Sequence, residues 1–493
     1  MAYRHRLRGL LTDGWVSVLL FLLALWIRSY RIGDQSFYDD EILTTFRISH
    51  PFWETIALLR HSPFPPLHYI ILKIWANIFG ANELTLRLPS LIFSGLTTIV
   101  LFHLGKELFH KRVGFIAALL LIFSPFAISH AQSAKMYSLF WFLEASSFLY
   151  FFRFLRHASQ KAYVSYIIST ILCCYTMYVG WIFVIAQNVT FFFWGKREEW
   201  KKWCLSQGII FLVCLPWIIW FVSSTHEKWD FRSAQVDFHF GQFFLRSFFV
   251  IFGGAYELMM NKSFSEHLLS LCLWRVNLFI YGFFSVSFLI DQIMIAYKRL
   301  NNPIEVPRSL NCLFLWLGIS LAMFFLYAFG AQEINLEVRY FGFLQIPLIL
   351  IIASQINNLP SLIRKMTVCL VLLITASNTA IYLRDVSIYP YQDWRGMARD
   401  LTLVLKDDDV VVSSISIPQF QYYFKADASR FYPLPKKWSM EDLFKQGIIK
   451  PENNSVYFLY KQQNAPEISL TGFVLDRKAS FGGMGYLHFE KND

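Results

Sequence analysis

The chain has 493 residues, of which 55% are hydrophobic, 18% aromatic and only 16% charged. Soluble domains carry about 25% charged residues, so this composition predicts a membrane protein with many spanning helices. The formal net charge is +11, but the basic residues cluster in short segments between apolar runs, which indicates cytoplasmic loops and argues against nucleic-acid binding. The seven cysteines show no metal-ligand spacing, which argues against a zinc site or a disulfide framework.

The apolar runs predict about eleven membrane spans, since a bilayer core needs roughly 20 apolar residues per helix. Basic segments such as "YRHRLR", "GKELFHKRV" and "GKREEWKK" place the N-terminus in the cytoplasm by the positive-inside rule. We therefore predict a multi-pass protein of the plasma (inner) membrane. The predicted spans lie near residues 14–33, 88–104, 113–130, 137–153, 162–178, 179–194, 203–222, 276–296, 310–330, 341–358 and 366–383.

The first apolar run is followed by Arg28 and Arg31 and by no small-residue cleavage site. We interpret it as an uncleaved signal anchor. On the outer side of the membrane, these two arginines are expected to extend towards the lipid headgroups.

The first outer loop, residues 34–87, begins with the segment "SFYDDEILTTFR". Its acids Asp39, Asp40 and Glu41 directly follow the first span. A carboxylate beside a water-poor cleft can act as a general base or hold a divalent cation; the alternative is an ordinary solvated charge run.

Two further segments of this loop bear on its topology. The segment "PPLHYIILKIWANIFG" (65–80) predicts a helix lying in the outer interface with His68, Lys73 and Trp75 at headgroup level, because a span here would turn several later basic loops outward. In "ANELTLRLPSLIF" (81–93), Arg87 stands at a helix entry, either facing lipid phosphates or as part of a polar hinge.

A second outer loop carries "SPFAISHAQSAKMYSLFWF" (124–142). If the early helices pack together, its polar residues converge near the acid cluster, and Lys135 supplies a point charge for a phosphate. The alternative is an interfacial loop whose Tyr137 belongs to the aromatic belt. The other polar residues in this set are His130 and Gln132.

Later segments add a third group of candidates. In "NLEVRYFGFLQIP" (335–347), Arg339 and Tyr340 stand at the outer end of a late span, where the arginine suits a bidentate phosphate contact and the pair equally suits headgroup anchoring. Glu144 lies deep in a span, and we interpret it as structural because Ser146 and Ser147 offer hydrogen bonds.

The end of the chain changes character. A large outer loop at 223–275 precedes the last spans, and after residue 383 turn formers, charges and short strand-like runs take over. "DVVVSSI", "SVYFLY" and "MGYLHFE" predict strands, and "WRGMARDLTLVL" predicts an amphipathic helix. We therefore divide the chain into a membrane domain, 1–383, and a small soluble α/β domain, 384–493, on the extracytoplasmic side.

Five motifs in this order resemble the GT-C superfamily of membrane glycosyltransferases, in particular the branch of the dolichyl-phosphate-mannose protein mannosyltransferases and bacterial aminoarabinose transferases (glycosyltransferase family 39 and relatives). They are "SFYDDE", "PPLHYIILKIW", "LRLPSLIF", "AQSAKMYSL" and "VRYF". "YQDWRGMARDL" also resembles the entry to the soluble domain of many bacterial members.

The resemblance implies transfer of a hexosyl or pentosyl group, with inversion, from a polyprenyl-phosphate-linked sugar to a lipid, glycan or protein acceptor on the outer face. It aligns Asp40 with the catalytic aspartate and Glu41 with its partner, leaving Asp39 as an extra acid. It also aligns Arg339 and Lys135 with groups near the lipid phosphate. Ser133 and Lys135 stand where the family usually has Glu and Arg, and the loss of the Glu removes a possible metal ligand or acceptor contact. A divalent cation (Mg²⁺ or Mn²⁺) at Asp40 and Glu41 is the remaining metal alternative.

Two other functions compete with glycosyl transfer. A transporter or lipid-linked sugar flippase predicts polar groups deep in several spans and repeated halves. A non-catalytic scaffold predicts that Asp40, Lys135 and Arg339 lie on separate surfaces.

Overall fold

The structure is a computed structural model. It describes residues 2–59, 62, 64–224, 308–330, 342–384, 392–406, 409–413, 422–424, 431–433, 440–450, 453–460, 470, 472–481 and 484–492. Helices and strands are numbered in chain order over these residues.

Up to residue 384, all regular secondary structure in the described residues is helical. The helices are α1 (Ala2–Ser29), α2 (Asp39–Ser49), α3 (Phe52–Leu58), α4 (Leu67–Phe79), α5 (Glu83–Leu108), α6 (Lys111–Ile122), α7 (Pro125–Ala131), α8 (Tyr137–His157), α9 (Gln160–Cys174), α10 (Gly180–Trp194), α11 (Trp200–Ser224), α12 (Arg308–Gly330), α13 (Gln345–Asn358) and α14 (Ser361–Arg384).

Three helical stretches in the described residues are long and apolar enough to cross a membrane: Glu83–Leu108, Arg197–Ser223 and Ser361–Ala380. A fourth crossing results if α6 and α7, which meet at a 64° bend, form one span. The predicted helical membrane architecture is therefore confirmed, but the number of eleven spans is not. Several predicted spans are shorter helices, such as the 15-residue α10, and the one at 276–296 lies outside the described residues.

Helix α8 lies inside the helical part, packed against α5 and α9. The core around α8 is rich in aromatic rings. The ring of Phe148 stacks on that of Trp316 from α12, for example. The packing of α6 on α5 depends on close backbone approach: a Cβ added to Gly114 of α6 would lie 2.1 Å from the carbonyl oxygen of Phe102 of α5. Glycine is thus the residue that this helix contact accommodates.

Two buried polar groups differ from expectation. Arg28 is fully buried and donates to the carbonyls of Ser94 (3.1 Å) and Leu121 (2.8 Å), so its predicted position at the headgroups is wrong. Glu144 is also fully buried, but Ser147 bonds to Thr170 instead of to it. Within the described part of the chain, neither carboxylate oxygen of Glu144 has a hydrogen-bond partner.

The C-terminal part contains the helices α15 (Trp394–Val404) and α16 (Met440–Lys445) and the strands β1 (Val410–Ser413), β2 (Phe431–Pro433), β3 (Ser455–Tyr460), β4 (Phe473–Ser480) and β5 (Gly485–Lys491). The strands form one mixed sheet in the order β2-β1-β3-β5-β4. The first two pairings are parallel and the last two antiparallel. The predicted small C-terminal α/β fold is confirmed.

The two faces of the sheet belong to different cores. On one face, side chains such as Val412, Phe458 and Phe489 pack with Leu443 of α16. On the other face, side chains such as Tyr457 and Tyr486 share a core with α15 and with the helices of the first loop. The members of this core from the first loop are Phe37, Ile42, Ile48, Leu59, Tyr69, Leu72 and Leu86. The first loop and the C-terminal sheet are therefore packed together, across the predicted boundary at residue 384.

Candidate functional site

The acid cluster forms the first turn of α2, with Asp39, Asp40 and Glu41 as its first three residues. Acidic side chains are favourable here because they face the positive end of the helix dipole. Glu41 also reaches back to accept a hydrogen bond from the backbone N–H of Tyr38 at 3.2 Å, as the third residue of a capping box does. The presence of acidic residues at these positions is thus explained in part by their stabilisation of the start of the helix.

Glu41 is fully buried and forms a bidentate ion pair with Arg87, which is 2% exposed. Nε of Arg87 lies 3.1 Å from Oε1 of Glu41, and Nη2 lies 2.8 Å from Oε2. Oε1 also accepts the backbone N–H of Ala134 at 2.6 Å. A charge pair at this depth needs such complete hydrogen bonding to offset the loss of its hydration.

The guanidinium of Arg87 also binds the turn that precedes α2. It donates to the carbonyls of Ile32 and Gln35 at 2.9 Å each and to that of Ser36 at 3.2 Å. Arg87, for which the sequence allowed a lipid-phosphate contact or a polar hinge, lies inside the protein, where it joins α5 to the loop that carries the acids.

Lys135 lies beside the middle acid of the cluster. Its buried ammonium donates to the backbone carbonyl of Asp40 and to Oγ1 of Thr44, both at 3.2 Å. It also lies over the ring of Phe64, 5.9 Å from the ring centroid. The Asp40 residue itself is half-buried, so the lysine of the outer loop and the candidate base occupy one site.

His68 lies next to this ammonium and is buried, away from the headgroup position that we predicted. Its Nε2 is 3.3 Å from the carbonyl oxygen of Ala134. Burial, with the charge of Lys135, lowers the pKa of His68 to about 3, although the carbonyl contact opposes the shift. The imidazole is therefore neutral near pH 7. Lys73 is likewise buried and donates to the carbonyls of Ile48 and His50.

The third acid, Asp39, is held by the C-terminal part of the chain. Oε1 of Gln392 accepts the backbone N–H of Asp39 at 2.8 Å, and Nε2 of Gln392 donates to Oδ2 of Asp39 at 3.2 Å. The carbonyl of Gln392 accepts the hydroxyl of Ser36 at 2.8 Å. Gln392 precedes α15, the amphipathic helix of the C-terminal part. The start of this helix therefore lies next to the acid cluster.

Two more contacts join the same parts of the chain. Arg395 of α15 forms an ion pair with Glu83 at 2.7 Å. The hydroxyl of Tyr423 donates to Glu83 at 2.8 Å and accepts the N–H of Phe37 at 2.6 Å; burial raises the pKa of this hydroxyl. Sequence reasoning did not identify Gln392, Tyr423 or Glu83 as site residues; only the "YQDW" segment, matched to the family's domain entry, pointed near them.

The remaining candidates of the second outer loop are Gln132, His130 and Tyr137. Gln132 donates to the carbonyls of Arg28 (3.0 Å) and Tyr30 (2.8 Å). The ring of His130 packs at 4.9 Å from that of Tyr137. The structure thus brings Lys135 to the acids, whereas Gln132 connects the loop to the end of α1 and His130 packs against Tyr137 within the loop segment itself.

Ser133 occupies the position where the family usually has an acid. Its hydroxyl is 2.8 Å from that of Tyr38, so this position contacts the acid loop through a neutral hydrogen bond. Arg339 and Tyr340 lie outside the described residues, and their predicted positions stay predictions.

A metal at Asp40 and Glu41 was an alternative from the sequence. As placed, Glu41 does not suit the role of ligand, because its carboxylate is already bonded by Arg87 and by two backbone N–H groups. A cation would have to displace the buried guanidinium.

Comparisons with known proteins agree with this architecture. The sequence profile of the family described as dolichyl-phosphate-mannose-protein mannosyltransferase matches residues 63–220. Among solved structures, ArnT from Cupriavidus metallidurans bound to undecaprenyl phosphate has a TM-score of 0.54 at 11% identity, covering 96% of this chain and 98% of that chain. The apo form of ArnT gives a TM-score of 0.57 at 11% identity, with 97% and 98% covered.

A second kind of solved structure is also similar. The archaeal oligosaccharyltransferase AglB from Archaeoglobus fulgidus, in complex with an inhibitory peptide and a dolichol-phosphate, has a TM-score of 0.50 at 14% identity, covering 90% of this chain and 69% of that chain. A search of curated proteins finds no match. The matched segment and the shared fold confirm the resemblance to the GT-C membrane glycosyltransferases.

Proposed function

We propose that the protein is a membrane glycosyltransferase that moves a sugar from a polyprenyl-phosphate carrier to an acceptor hydroxyl or amine. The observation that carries the proposal is the joint placement of Asp40 and Lys135 at the start of α2, on a fold shared with ArnT. The structures of ArnT and AglB were solved with undecaprenyl phosphate and with dolichol-phosphate, respectively, which supports a lipid-phosphate donor here. The predicted multi-pass arrangement, with the acid loop and the C-terminal sheet on the outer face, forms part of the proposal.

In the proposed reaction, Asp40 acts as the general base. The acceptor oxygen attacks the anomeric carbon from the side opposite the phosphate, its proton passes to the Asp40 carboxylate, and the bond from the anomeric carbon to the phosphate oxygen breaks. The electron pair leaves with the phosphate, so the products are an inverted glycoside and polyprenyl phosphate. A base within hydrogen-bond reach typically contributes about 10²- to 10⁴-fold to the rate.

The cations have separate roles in this proposal. Lys135, which is a point charge, offsets the negative charge that develops on the departing phosphate, and Arg339 with Tyr340 binds the same phosphate from the late span. Arg87 acts as a positioning residue, since it holds Glu41 and the loop in front of α2. A bound Mg²⁺ or Mn²⁺ stays a prediction from the sequence, and no step here depends on it.

Two aspartates of the same loop provide a matched test of the base. Asp40→Asn keeps the size of the side chain and removes the proton acceptor, whereas Asp34→Asn alters an exposed carboxylate that pairs with Arg31. Purified protein is incubated with a membrane extract as the source of donors and acceptors, and released polyprenyl phosphate is measured by mass spectrometry. We expect release to fall at least about 100-fold in Asp40→Asn and to be unchanged in Asp34→Asn.

Equal release from Asp40→Asn and the unaltered protein would refute the base assignment. The donor site has its own test: Arg339→Ala should raise the donor concentration needed for half-maximal rate, and an unchanged donor dependence would reject that role. Movement of labelled lipid-linked sugar across proteoliposomes without release of polyprenyl phosphate would instead support a flippase.

A further inference from the structure

We propose that the C-terminal sheet carries a binding site for a divalent transition-metal ion, formed by Asp476, His488 and Glu490 and distinct from the acid cluster of α2. In the described part of the chain, these three side chains are the one group of three metal-ligating residues whose ligand atoms lie within 4.8 Å of one another. The site does not depend on the proposed glycosyl transfer.

The local fold explains why three distant residues meet. His488 and Glu490 are two residues apart on β5, so they share a face of the sheet. The pairing of β4 with β5 shifts between Leu475 and Arg477, which leaves Asp476 as the additional residue of a β-bulge. Bulges redirect a side chain, and here Oδ2 of Asp476 lies 2.9 Å from Nδ1 of His488.

The histidine is held rigidly and has one nitrogen to spare. His488 is 7% exposed, and its ring stacks on that of Tyr457 with centroids 4.3 Å apart. While Nδ1 faces Asp476, Nε2 is buried and has no hydrogen-bond partner among the described residues. Coordination through Nδ1, the nitrogen that faces Asp476, would leave the ring proton on Nε2, since a metal-bound histidine carries its proton on the nitrogen that does not bind the metal.

The acids leave a negative potential at this place. Asp476 and Glu490 each bring a carboxylate to the group. Arg477 is paired with Asp400, so it does not neutralise the group directly.

The donor set favours Zn²⁺. One imidazole and two carboxylates suit a transition-metal ion better than Mg²⁺ or Ca²⁺, which prefer oxygen ligands. Zinc–ligand distances of about 2.0–2.2 Å place ligand atoms roughly 3.3 Å apart in a tetrahedron. Asp476 is half exposed and Glu490 is exposed, so rotation of both side chains can bring their oxygens to the shorter distance that a bound zinc requires. Water would complete the coordination.

The test compares metal binding in the full-length protein. Protein stripped with a chelator is titrated with Zn²⁺ by calorimetry, and the bound metal is counted after gel filtration by mass spectrometry. The three variants Asp476→Asn, His488→Gln and Glu490→Gln should each bind about one equivalent less than the unaltered protein, because each removes a ligand. The control is Asp442→Asn on α16, whose helix packs against the opposite face of the sheet, and it should bind as the unaltered protein does.

Titration with Co²⁺ adds a spectroscopic readout. A site of four or five ligands gives visible absorption bands stronger than those of hydrated Co²⁺, and these bands should be lost in His488→Gln and kept in Asp442→Asn. The proposal is overturned if the stoichiometry is the same in the unaltered protein and in the three variants, or if the unaltered protein binds no Zn²⁺. A variant that binds less metal and also unfolds at a lower temperature without metal is not by itself evidence for the site. Its result supports the site only if another of the three variants folds normally and also binds about one equivalent less metal.

Discussion

Replacing Gln392 by alanine removes both hydrogen bonds between its side-chain amide and Asp39. The bond to the carboxylate is worth about 1.5–3 kcal/mol and the bond from the backbone N–H about 0.5–1.5 kcal/mol, so the first turn of α2 loses about 2–4.5 kcal/mol of support. If half of this loss is felt in the transition state, kcat falls roughly 5- to 45-fold, and if all of it is felt, roughly 30- to 2,000-fold. The donor concentration for half-maximal rate should change little, because Gln392 is not among the proposed donor contacts.

The assay is the release of polyprenyl phosphate from a donor-containing extract, measured against donor concentration and pH. Gln446→Ala is the matched control, since Gln446 is an exposed residue of the same C-terminal part. Gln392→Glu adds a second test: a carboxylate beside Asp39 disfavours ionisation of Asp39, so the acidic limb of the pH–rate profile moves to higher pH if Asp39 takes part in proton transfer. A normal kcat for Gln392→Ala would refute the reasoning that this contact positions the acids.

Three further outcomes follow from buried contacts. Arg87→Lys should lower the yield of folded protein, because lysine cannot reproduce the fork that binds Glu41 and a broken buried pair costs about 3–5 kcal/mol; extraction and gel filtration measure this, and a normal yield would contradict it. His68 has a folded-state pKa of about 3 against an ordinary 6.5, so the unfolded state binds more protons between these two values. The free energy of unfolding therefore falls by about 1.4 kcal/mol per pH unit below pH 6.5. The unfolding temperature of His68→Gln should be less sensitive to acid, and identical pH profiles of the two proteins would exclude the effect. Gly114→Ala should destabilise the packing of α6 on α5, whereas Gly208→Ala, where a Cβ meets nothing within 4 Å, should not destabilise the protein. Equal unfolding temperatures would show that the helix contact tolerates a side chain.

The helices and most strands were predictable because their signals are local. A long apolar run indicates a buried helix, and a run of β-branched and aromatic residues such as "SVYFLY" indicates a buried strand. Strand β4 was not predicted, since its sequence "FVLDRKAS" is charged and largely exposed, as edge strands often are. The three-residue β2 is too short to leave a pattern.

The candidate site was predictable only in part, because its contacts are long-range. Three acids and one lysine could be selected from the sequence, and the structure places Lys135 on the Asp40 carbonyl. The pairing of Asp39 with Gln392 spans 353 positions, and no local pattern reports such a contact. A lone arginine at a helix entry likewise suits a lipid phosphate or a buried carboxylate equally well, and Arg87 takes the carboxylate.

The bend between α6 and α7 has a further meaning once its hydrogen bonds are followed. In a continuous helix the carbonyl of Leu121 would accept the N–H of residue 125, but Pro125 has none. The backbone N–H of Ser124 donates to this carbonyl at 3.3 Å, and the guanidinium of Arg28 of α1 adds a second donor at 2.8 Å. The carbonyl of Arg28 in turn accepts the side chain of Gln132, which follows α7. One residue of α1 therefore binds the end of α6 and the end of α7, which fixes where the loop containing Lys135 begins.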